Sequence, residues 1–417
     1  MNPLLPRQYF IPDGEAHVMS DGRLYLYGSL DISGANEYCS KQYRVFSTDD
    51  PKLENWIDHG ISFSNTKDDC RVPFSPDTGL YAPDAIEYNG KYYLFICGGN
   101  SFEAVAVSDK PEGPFGTAVP IPIANHDSID PAIFIDDDGQ AYYFWGQFNL
   151  KGAKMNPDMH TLDESSINRC LLSETEHGFH EGSSVRKRDG KYYIVYTDIS
   201  RGKATCMSYA VSDHPLGPYK KGGVIIDNIY CDNSTWNDHG SITEFKGQWY
   251  VFYHRSSQNS IYSRRMCAEP IFFNDDGSID EVIMTSQGAS DPINAFSEID
   301  ASVACRMKGN VKIMPILSPD GSINEILTDC GGGNWLNDWA EYRYFDFSSG
   351  VSEIRVKSSG KGTIIIKAPS GVIAGKISVD SKIFKETSGI VTGLSGVLPI
   401  WLEFEGTGMS LDSFTFK

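Results

Sequence analysis

The sequence predicts an all-β chain, a five-bladed β-propeller followed by a β-sandwich of jelly-roll type. Three observations carry this expectation. A short hairpin pattern recurs five times before residue 300, a looser strand-and-turn pattern sits between the copies, and beyond residue 300 a different, regular alternation takes over. With 417 residues, 40% hydrophobic and 12% aromatic content, the chain can bury more than one core of ordinary size. Two units are therefore expected, 1–300 and 301–417, with the boundary falling within 295–308.

The five copies are "PDGEAHVMSDGRLYLYGS" from Pro12, "PDAIEYNGKYYLFIC" from Pro83, "IDPAIFIDDDGQAYYFWG" from Ile129, "EGSSVRKRDGKYYIVYT" from Glu181 and "HGSITEFKGQWYVFYHR" from His239. Each reads as a short strand, a turn ending in a glycine that accepts positive φ, and a second strand rich in β-branched and aromatic residues. Between them lie "YRVFSTDDPKLENW" from Tyr43, "AVAVSDKPEGPFG" from Ala104 and "SYAVSDHPLGPYKKG" from Ser208, which read as third strands running into Pro/Gly turns. Three or four strands per unit in five units indicate propeller blades; a sandwich alone would not repeat fivefold. The later segments "GVSEIRVKSSGKGTIIIKAPSGVIAGKISV" and "GVLPIWLEFEGTGMSLDSFTFK" alternate in period two with Gly, Ser and Pro turns, as antiparallel sandwich strands do.

Charge narrows the function classes. Asp plus Glu number 55 against 36 Lys plus Arg, a formal charge of -19, and no basic block interrupts the balance. A polyanion is repelled over roughly a Debye length, so neither nucleic acid nor an anionic membrane is an expected partner. The start "MNPLLPRQYFIPDGEAHV" has no basic segment and no apolar core, and no apolar run reaches membrane-spanning length. A cytoplasmic location is expected for the chain as written, or a secreted or periplasmic one if a leader has been trimmed. The nine cysteines are scattered without a C-x-x-C pair and are expected to be reduced and mostly buried, rather than a zinc site or a disulfide framework.

Acids at the hairpin starts are the candidate chemistry. Asp13 precedes its turn residue Asp21 by eight positions, Asp130 precedes Asp138 by eight, and Glu181 precedes Asp189 by eight, so the three should occupy equivalent positions on separate blades. Inner strands line a propeller's channel, and the three carboxyls should converge on one pocket. Asp84 and His239 head the other two hairpins and should join the rim, while Glu15 competes with Asp13 at a spacing that breaks the pattern. Carboxyl groups crowded in low dielectric hold protons unequally, one staying ionised and another protonated. Hydrolysis of a glycosidic bond needs that division. The sequence carries no phosphate-binding loop, no G-x-S-x-G and no H-E-x-x-H, so no cofactor is expected. Strand starts and turns also attract Asp for purely structural reasons, and the "DDDG" run at 136–139 reads as an exposed turn.

Taken together, "IPDGEAHV", "LYAPDAIEYNGKYYLF", "SIDPAIFIDDDGQAYYFWG", "HEGSSVRKRDGKYYIVYT" and "NDHGSITEFKGQWYVFYHR" resemble glycoside hydrolase family 43 across residues 8–300. The resemblance implies a five-bladed propeller of inverting glycosidases. Asp13 would be the general base, Glu181 the general acid, and Asp130 the third acid that orients the general acid and keeps its pKa high. His239 would be the channel histidine, facing water or a structural Ca2+, Arg255 of "YHR" would bind sugar hydroxyls, Asp84 would be a structural or subsite residue, and Tyr81 would line a subsite, standing where many members carry Trp. "YGSLD" at 27–31 departs from a common "YGSHD" and bears on substrate choice. The implied substrate is an oligosaccharide or polysaccharide of plant type, with terminal α-L-arabinofuranose or β-xylose as the released sugar. A galactan- or galactofuranose-active enzyme, a retaining hydrolase and a non-catalytic glycan-binding propeller are the alternatives, and the oligomeric state is left open. The C-terminal segments "DWAEYRYFDFSSGVSEIRVKSSGKGTIIIKAPSGVIAGKISV" and "LPIWLEFEGTGMSLDSFTF" resemble carbohydrate-binding module family 6. Trp335, Trp339 and Tyr342 are the candidate stacking platforms and Trp401 is expected in the core. The loop "DSKIFKETSGIVTG" lacks the Trp that commonly stands there, so either glycan binding or a packing role remains open.

Overall fold

The computed structural model describes residues 1–122, 128–317, 323–331 and 338–417. Five antiparallel sheets follow one another along the chain. The first holds β1 (Glu15–Val18), β2 (Leu24–Tyr27), β3 (Gln42–Thr48) and β4 (Ile57–Ser64), and the second β5 (Asp84–Tyr88), β6 (Lys91–Cys97), β7 (Glu103–Ser108) and β8 (Val119–Pro120). The third holds β9 (Ala132–Ile135), β10 (Ala141–Trp145), β11 (Asn149–Lys154) and β12 (Asn168–Ser173). The fourth comprises β13 (Phe179–Arg188), β14 (Lys191–Asp198), β15 (Cys206–Ser212) and β16 (Lys220–Asp227), and the fifth β17 (Ser241–Phe245), β18 (Gln248–Ser257) and β19 (Ser260–Ile271). The inner strands β1, β5, β9, β13 and β17 neighbour one another in a closed ring, which makes the sheets the blades of a five-bladed propeller.

Turn chemistry explains the hairpins. Asn89-Gly90, Asp189-Gly190 and Lys246-Gly247 are two-residue loops with both φ values positive, the geometry whose twist matches the flanking strands. Aromatic and aliphatic side chains of each blade pack against the next, and five apolar clusters seal the five blade junctions. Trp145, Tyr143 and Phe95, all fully buried, belong to the junction of the second and third blades. At about 25 cal/mol per Å2 of apolar surface, burying each such ring contributes several kcal/mol. The ring closes through the N-terminal segment rather than through a fourth strand of the fifth blade. Leu4 N–H donates to the Met266 carbonyl at 2.9 Å, and the Asn2 amide exchanges hydrogen bonds with the Ala268 backbone.

A nine-stranded sheet follows, built around the long strands Glu353–Lys367, Ile373–Ile390 and Val397–Phe416, with one apolar core of its own. Its first residues come from Ile293–Asn294, which pair in parallel with Asp338–Asp346. It docks on the fifth blade: Cys305 joins the apolar cluster between the fourth and fifth blades, and Met307 N–H donates to the Tyr230 carbonyl at 2.7 Å. All nine cysteines are free thiols, six of them buried, but Cys70 and Cys170 are exposed.

Of the expected stacking platforms, Tyr342 is a correction. Its ring is fully buried, its hydroxyl donates to the Ala301 carbonyl, and it packs edge-on against Phe414, so no sugar can reach it. Trp339 is half-buried with the Arg306 guanidinium 5.9 Å from its ring centroid, and Trp401, expected in the core, is likewise half-buried. Trp335 lies outside the described residues.

Candidate active site

One end of the propeller channel opens into a pocket of about 260 Å3 whose walls include Asp13, Tyr81, Asp130, Glu181, His239 and Arg264. The three acids expected to converge do so there. They are not strictly equivalent in backbone, however. Asp13 and Asp130 both stand two positions ahead of the first residue of an inner strand, in the left-handed region with φ of 57° and 54°, a conformation that Asp tolerates better than most residues. Glu181 lies within β13 at a break in its pairing with β14, and there the left-handed residue is the next one, Gly182. The bulge turns the Glu181 side chain into the pocket, where Oε2 accepts a hydrogen bond from Gln147 Nε2 at 2.8 Å.

The surroundings treat the acids differently. Asp13 Oδ2 accepts from the Ser29 hydroxyl at 2.6 Å and Oδ1 from Arg264 Nη1 at 2.9 Å, while His254 and His239 approach Oδ1 at 3.4 and 3.7 Å. Burial by itself pushes the Asp13 carboxyl up, but Arg264 and the two imidazoles outweigh it and hold the group well below the usual carboxylate range. Asp130 has no such cation. Burial first, then the charges of Glu181 and Asp13, push its carboxyl well above the usual range, although the Gly182 N–H at 2.9 Å opposes the rise. Burial also lowers the pKa of His239, against the opposing pull of the Asp13 and Glu181 charges. One pocket thus presents an acid held in its ionised form, Asp13, within reach of one that holds its proton, Asp130, the kind of division that acid–base chemistry on a glycosidic bond requires.

Two expected contacts are corrected. Arg255 does not reach the pocket. On β18 the preceding residue, His254, faces inward with Nε2 3.1 Å from the Asn237 carbonyl, so strand alternation sends Arg255 to the opposite face. There its Nε and Nη2 donate to Cys267 Sγ and the Thr285 carbonyl, each at 2.9 Å. The guanidinium that does line the pocket is Arg264 on β19, held by a bidentate pair with Asp31 at 2.9 and 3.0 Å. Asp84 also lies outside the pocket. Its Oδ1 meets His17 Nε2 at 2.6 Å and its Oδ2 accepts from Ile133 N–H at 2.8 Å, which ties the first three blades together. Glu15, the competitor of Asp13, sits beside it in the channel, bonded to the Ser184 hydroxyl and Arg186 at 3.0 and 3.1 Å. Gln147, Trp236, Tyr38 and Cys39 line the pocket without having been singled out from the sequence; Trp236, 46% exposed, could have been flagged as an apolar ring in a polar "NSTWNDHG" run.

A metal ion at His239 is tested by its donors. Asp13 Oδ1 lies 3.7 Å from that imidazole and the Glu181 charge bears on it, and among the described residues the one cluster of three potential ligands is Glu15, His17 and Asp84. Both Asp84 oxygens and Glu15 Oε2 already accept hydrogen bonds or an ion pair, which leaves Glu15 Oε1 as the free oxygen. Calcium takes six to eight oxygen ligands, water among them, of which the protein groups at either place would supply a minority.

A five-bladed propeller with buried, unequally protonated acids at its channel mouth defines a glycoside hydrolase. The sequence profile of Glycosyl hydrolases family 43 matches residues 1–279, and the chain belongs to that family. A xylosidase/arabinosidase of Thermoclostridium stercorarium is 30% identical, the match covering 99% of this chain and 98% of its own. CoXyl43, a β-xylosidase/α-arabinofuranosidase from a compost microbial metagenome solved with xylotriose in a calcium-free form, superposes with a TM-score of 0.58 at 29% identity, over 68% of this chain and 97% of that one. The arabinoxylan arabinofuranohydrolase of Bacillus subtilis, solved with cellotetraose, shares the fold over 100% of this chain and 97% of its own, at 22% identity and a TM-score of 0.56.

Proposed function

We propose that this family 43 enzyme is an inverting, exo-acting glycosidase that releases terminal α-L-arabinofuranose or β-xylose from plant-type oligosaccharides. The observation that carries the reading is the contrast between Asp13, kept ionised by Arg264, and the proton-holding Asp130 in the same pocket. In this reading Asp13 takes a proton from water as that water attacks the anomeric carbon, and Glu181 gives its proton to the departing glycosidic oxygen. Asp130, whose Oδ2 accepts from the Gly182 N–H at 2.9 Å, holds the backbone beside Glu181 and so orients the acid. His239, Tyr81 and Arg264 line the pocket and are the groups that would meet sugar hydroxyls. The relatives named xylosidase/arabinosidase and CoXyl43 with its xylotriose support the choice of pentose.

The test is a panel of aryl α-L-arabinofuranoside, β-xyloside, galactoside and galactofuranoside substrates, with the anomer of the first-formed sugar followed by NMR. Turnover of the first two with inversion is expected. A retained anomer would place the two carboxyls at the separation of about 5–5.5 Å typical of a nucleophile and its acid rather than the 6.5–9.5 Å that admits water, and would sink the mechanism.

A further inference from the structure

Beside the active-site pocket lies a second cavity, of about 270 Å3, and the two share Tyr81, Ile129 and Gln147 as a common wall. Phe148, in the turn from β10 to β11, lines this second cavity and is 47% exposed. Its backbone stands in the left-handed region at a φ of 62°, an outlier for so bulky a residue. A glycine would answer that backbone demand without strain, and no core packing asks for a ring that is half in solvent. Strain of this kind persists where the surroundings fix it, and it gathers at ligand sites. Both backbone groups of Phe148 are fixed: its N–H donates to the His180 carbonyl at 2.8 Å, and its carbonyl accepts from Glu174 N–H at 2.9 Å. The His180 imidazole, whose Nδ1 lies 2.9 Å from Glu174 Oε1, meets the Phe148 ring edge-on with centroids 5.3 Å apart. An exposed aromatic ring is thereby held in one place.

The position of the cavity relative to Glu181 decides what it can hold. Phe148 is tied to that acid twice, since its chain neighbour Gln147 donates to Glu181 Oε2 at 2.8 Å and its packing partner His180 immediately precedes Glu181. Acid and water act on opposite faces of the sugar in an inverting reaction, so the departing group leaves on the side of the acid. The cavity bordered by Gln147 lies on that side. None of the described residues that line it carries a charge; Ser128 and Asn149 offer hydrogen bonds, and Phe148 an apolar ring. A neutral sugar presents the matching surfaces, a face of C–H groups and an edge of hydroxyls.

We propose that this second cavity is the leaving-group site, and that the first sugar of the departing chain, a neutral pyranose such as xylose, stacks on Phe148. The proposal rests on the reading of Glu181 as the general acid. Phe148 is then a specificity residue: it favours substrates whose leaving group is a sugar ring over those whose leaving group has none.

The experiment compares wild type, Phe148→Ala and Phe148→Tyr in the full chain on two kinds of substrate that carry the same terminal pentose. One kind leaves a sugar, 1,4-β-xylobiose or an α-L-arabinofuranosyl xylobiose; the other leaves a single atom, β-D-xylosyl fluoride or α-L-arabinofuranosyl fluoride. Phe148→Ala should lower kcat/KM about tenfold on the oligosaccharide, the size of a lost stacking contact, and stay within about twofold of wild type on the fluoride. Phe148→Tyr, which keeps the ring, should match wild type on both. Equal loss on both substrates would mean that the ring only braces His180 and Glu181, and overturns the proposal; so does wild-type activity of Phe148→Ala on both. Either result leaves the glycosidase reading standing, because wild type still turns over the pentosides. A wild type inactive on all four substrates refutes that reading and this inference with it. Should Phe148→Ala fail to fold, Phe148→Leu, apolar but without a ring, decides by the same ratio.

Discussion

Replacing Arg264 with Met tests the idea that a guanidinium sets the protonation of Asp13. The two groups meet at 2.9 Å with both side chains buried. Unit charges about 4 Å apart at an effective dielectric of about 20 interact by about 4 kcal/mol, equivalent to about three pKa units. Ser29, His239 and His254 remain in the variant, so the loss is partial, and removing a neighbouring Arg typically raises a carboxyl by about one to three units. Burial then acts with less opposition, and the Asp13 pKa should rise towards the ordinary carboxylate range. The readout is kcat/KM against pH with an aryl pentoside. Wild type should stay flat on the acid side until the protein unfolds, whereas Arg264→Met should bend within the measurable range. Stability must be measured first, because Asp31 also loses its bidentate partner and breaking a buried pair costs about 3–5 kcal/mol. Arg264→Lys, which keeps a positive charge, should retain an acid limb close to wild type. A folded Arg264→Met with the wild-type limb would refute the reasoning and return the base role to an open question.

Further outcomes follow from the same structure. Glu181→Ala should lower kcat on natural oligosaccharides by about 100- to 10,000-fold, the usual value of a general acid, yet spare aryl glycosides with very acidic leaving groups; equal loss on both substrates speaks against the role. Gly182→Ala places a methyl within 2.9 Å of the His239 ring and 2.8 Å of Thr197 Oγ1 at a φ of 68°, so a melting point lowered by a cost of about 1–3 kcal/mol and a reduced kcat are expected. Glu103 and Glu269 are buried carboxyls pushed by burial up to about 8 and about 7 from an ordinary 4.5. The native state therefore holds more protons than the unfolded state between about pH 4.5 and 8, and stability should fall as pH rises through that window. Asp13, whose pKa is depressed, acts oppositely below about pH 4, so Tm should peak near pH 5, and Glu103→Gln should flatten the alkaline decline; a Tm that climbs from pH 5.5 to 8.5 contradicts this. Deleting residues 305–417 strips Glu325 from the buried Arg265 and Cys305 from a propeller cluster, and an insoluble product is expected; a soluble enzyme impaired only on polymers would instead point to glycan targeting.

What the sequence reveals and conceals here follows from the range of the interactions. The blades were legible because each hairpin is a local object: two strands and a turn whose glycine answers a backbone demand within a few residues, repeated five times. Asp13, Asp130 and Glu181 were legible for the same reason, since repetition turns a spacing to a turn into a position on a channel wall, although the bulge that sets Glu181 apart leaves no such mark. Arg264 was not legible, because its meaning lies in Asp31, 233 positions away. Choosing Arg255 instead is an error of parity: in a strand, one residue of offset exchanges the two faces, and the motif "YHR" does not say which of His254 and Arg255 turns inward. For Asp84 the structure favours the structural of its two readings over the subsite one. Asp84 does head an inner strand as its motif implies, but it faces His17 and the Ile133 backbone, so the demand it meets is that of holding blades together. A motif locates a residue along a strand to within about one position, and at a channel mouth that one position separates a group that touches sugar from one that braces the scaffold.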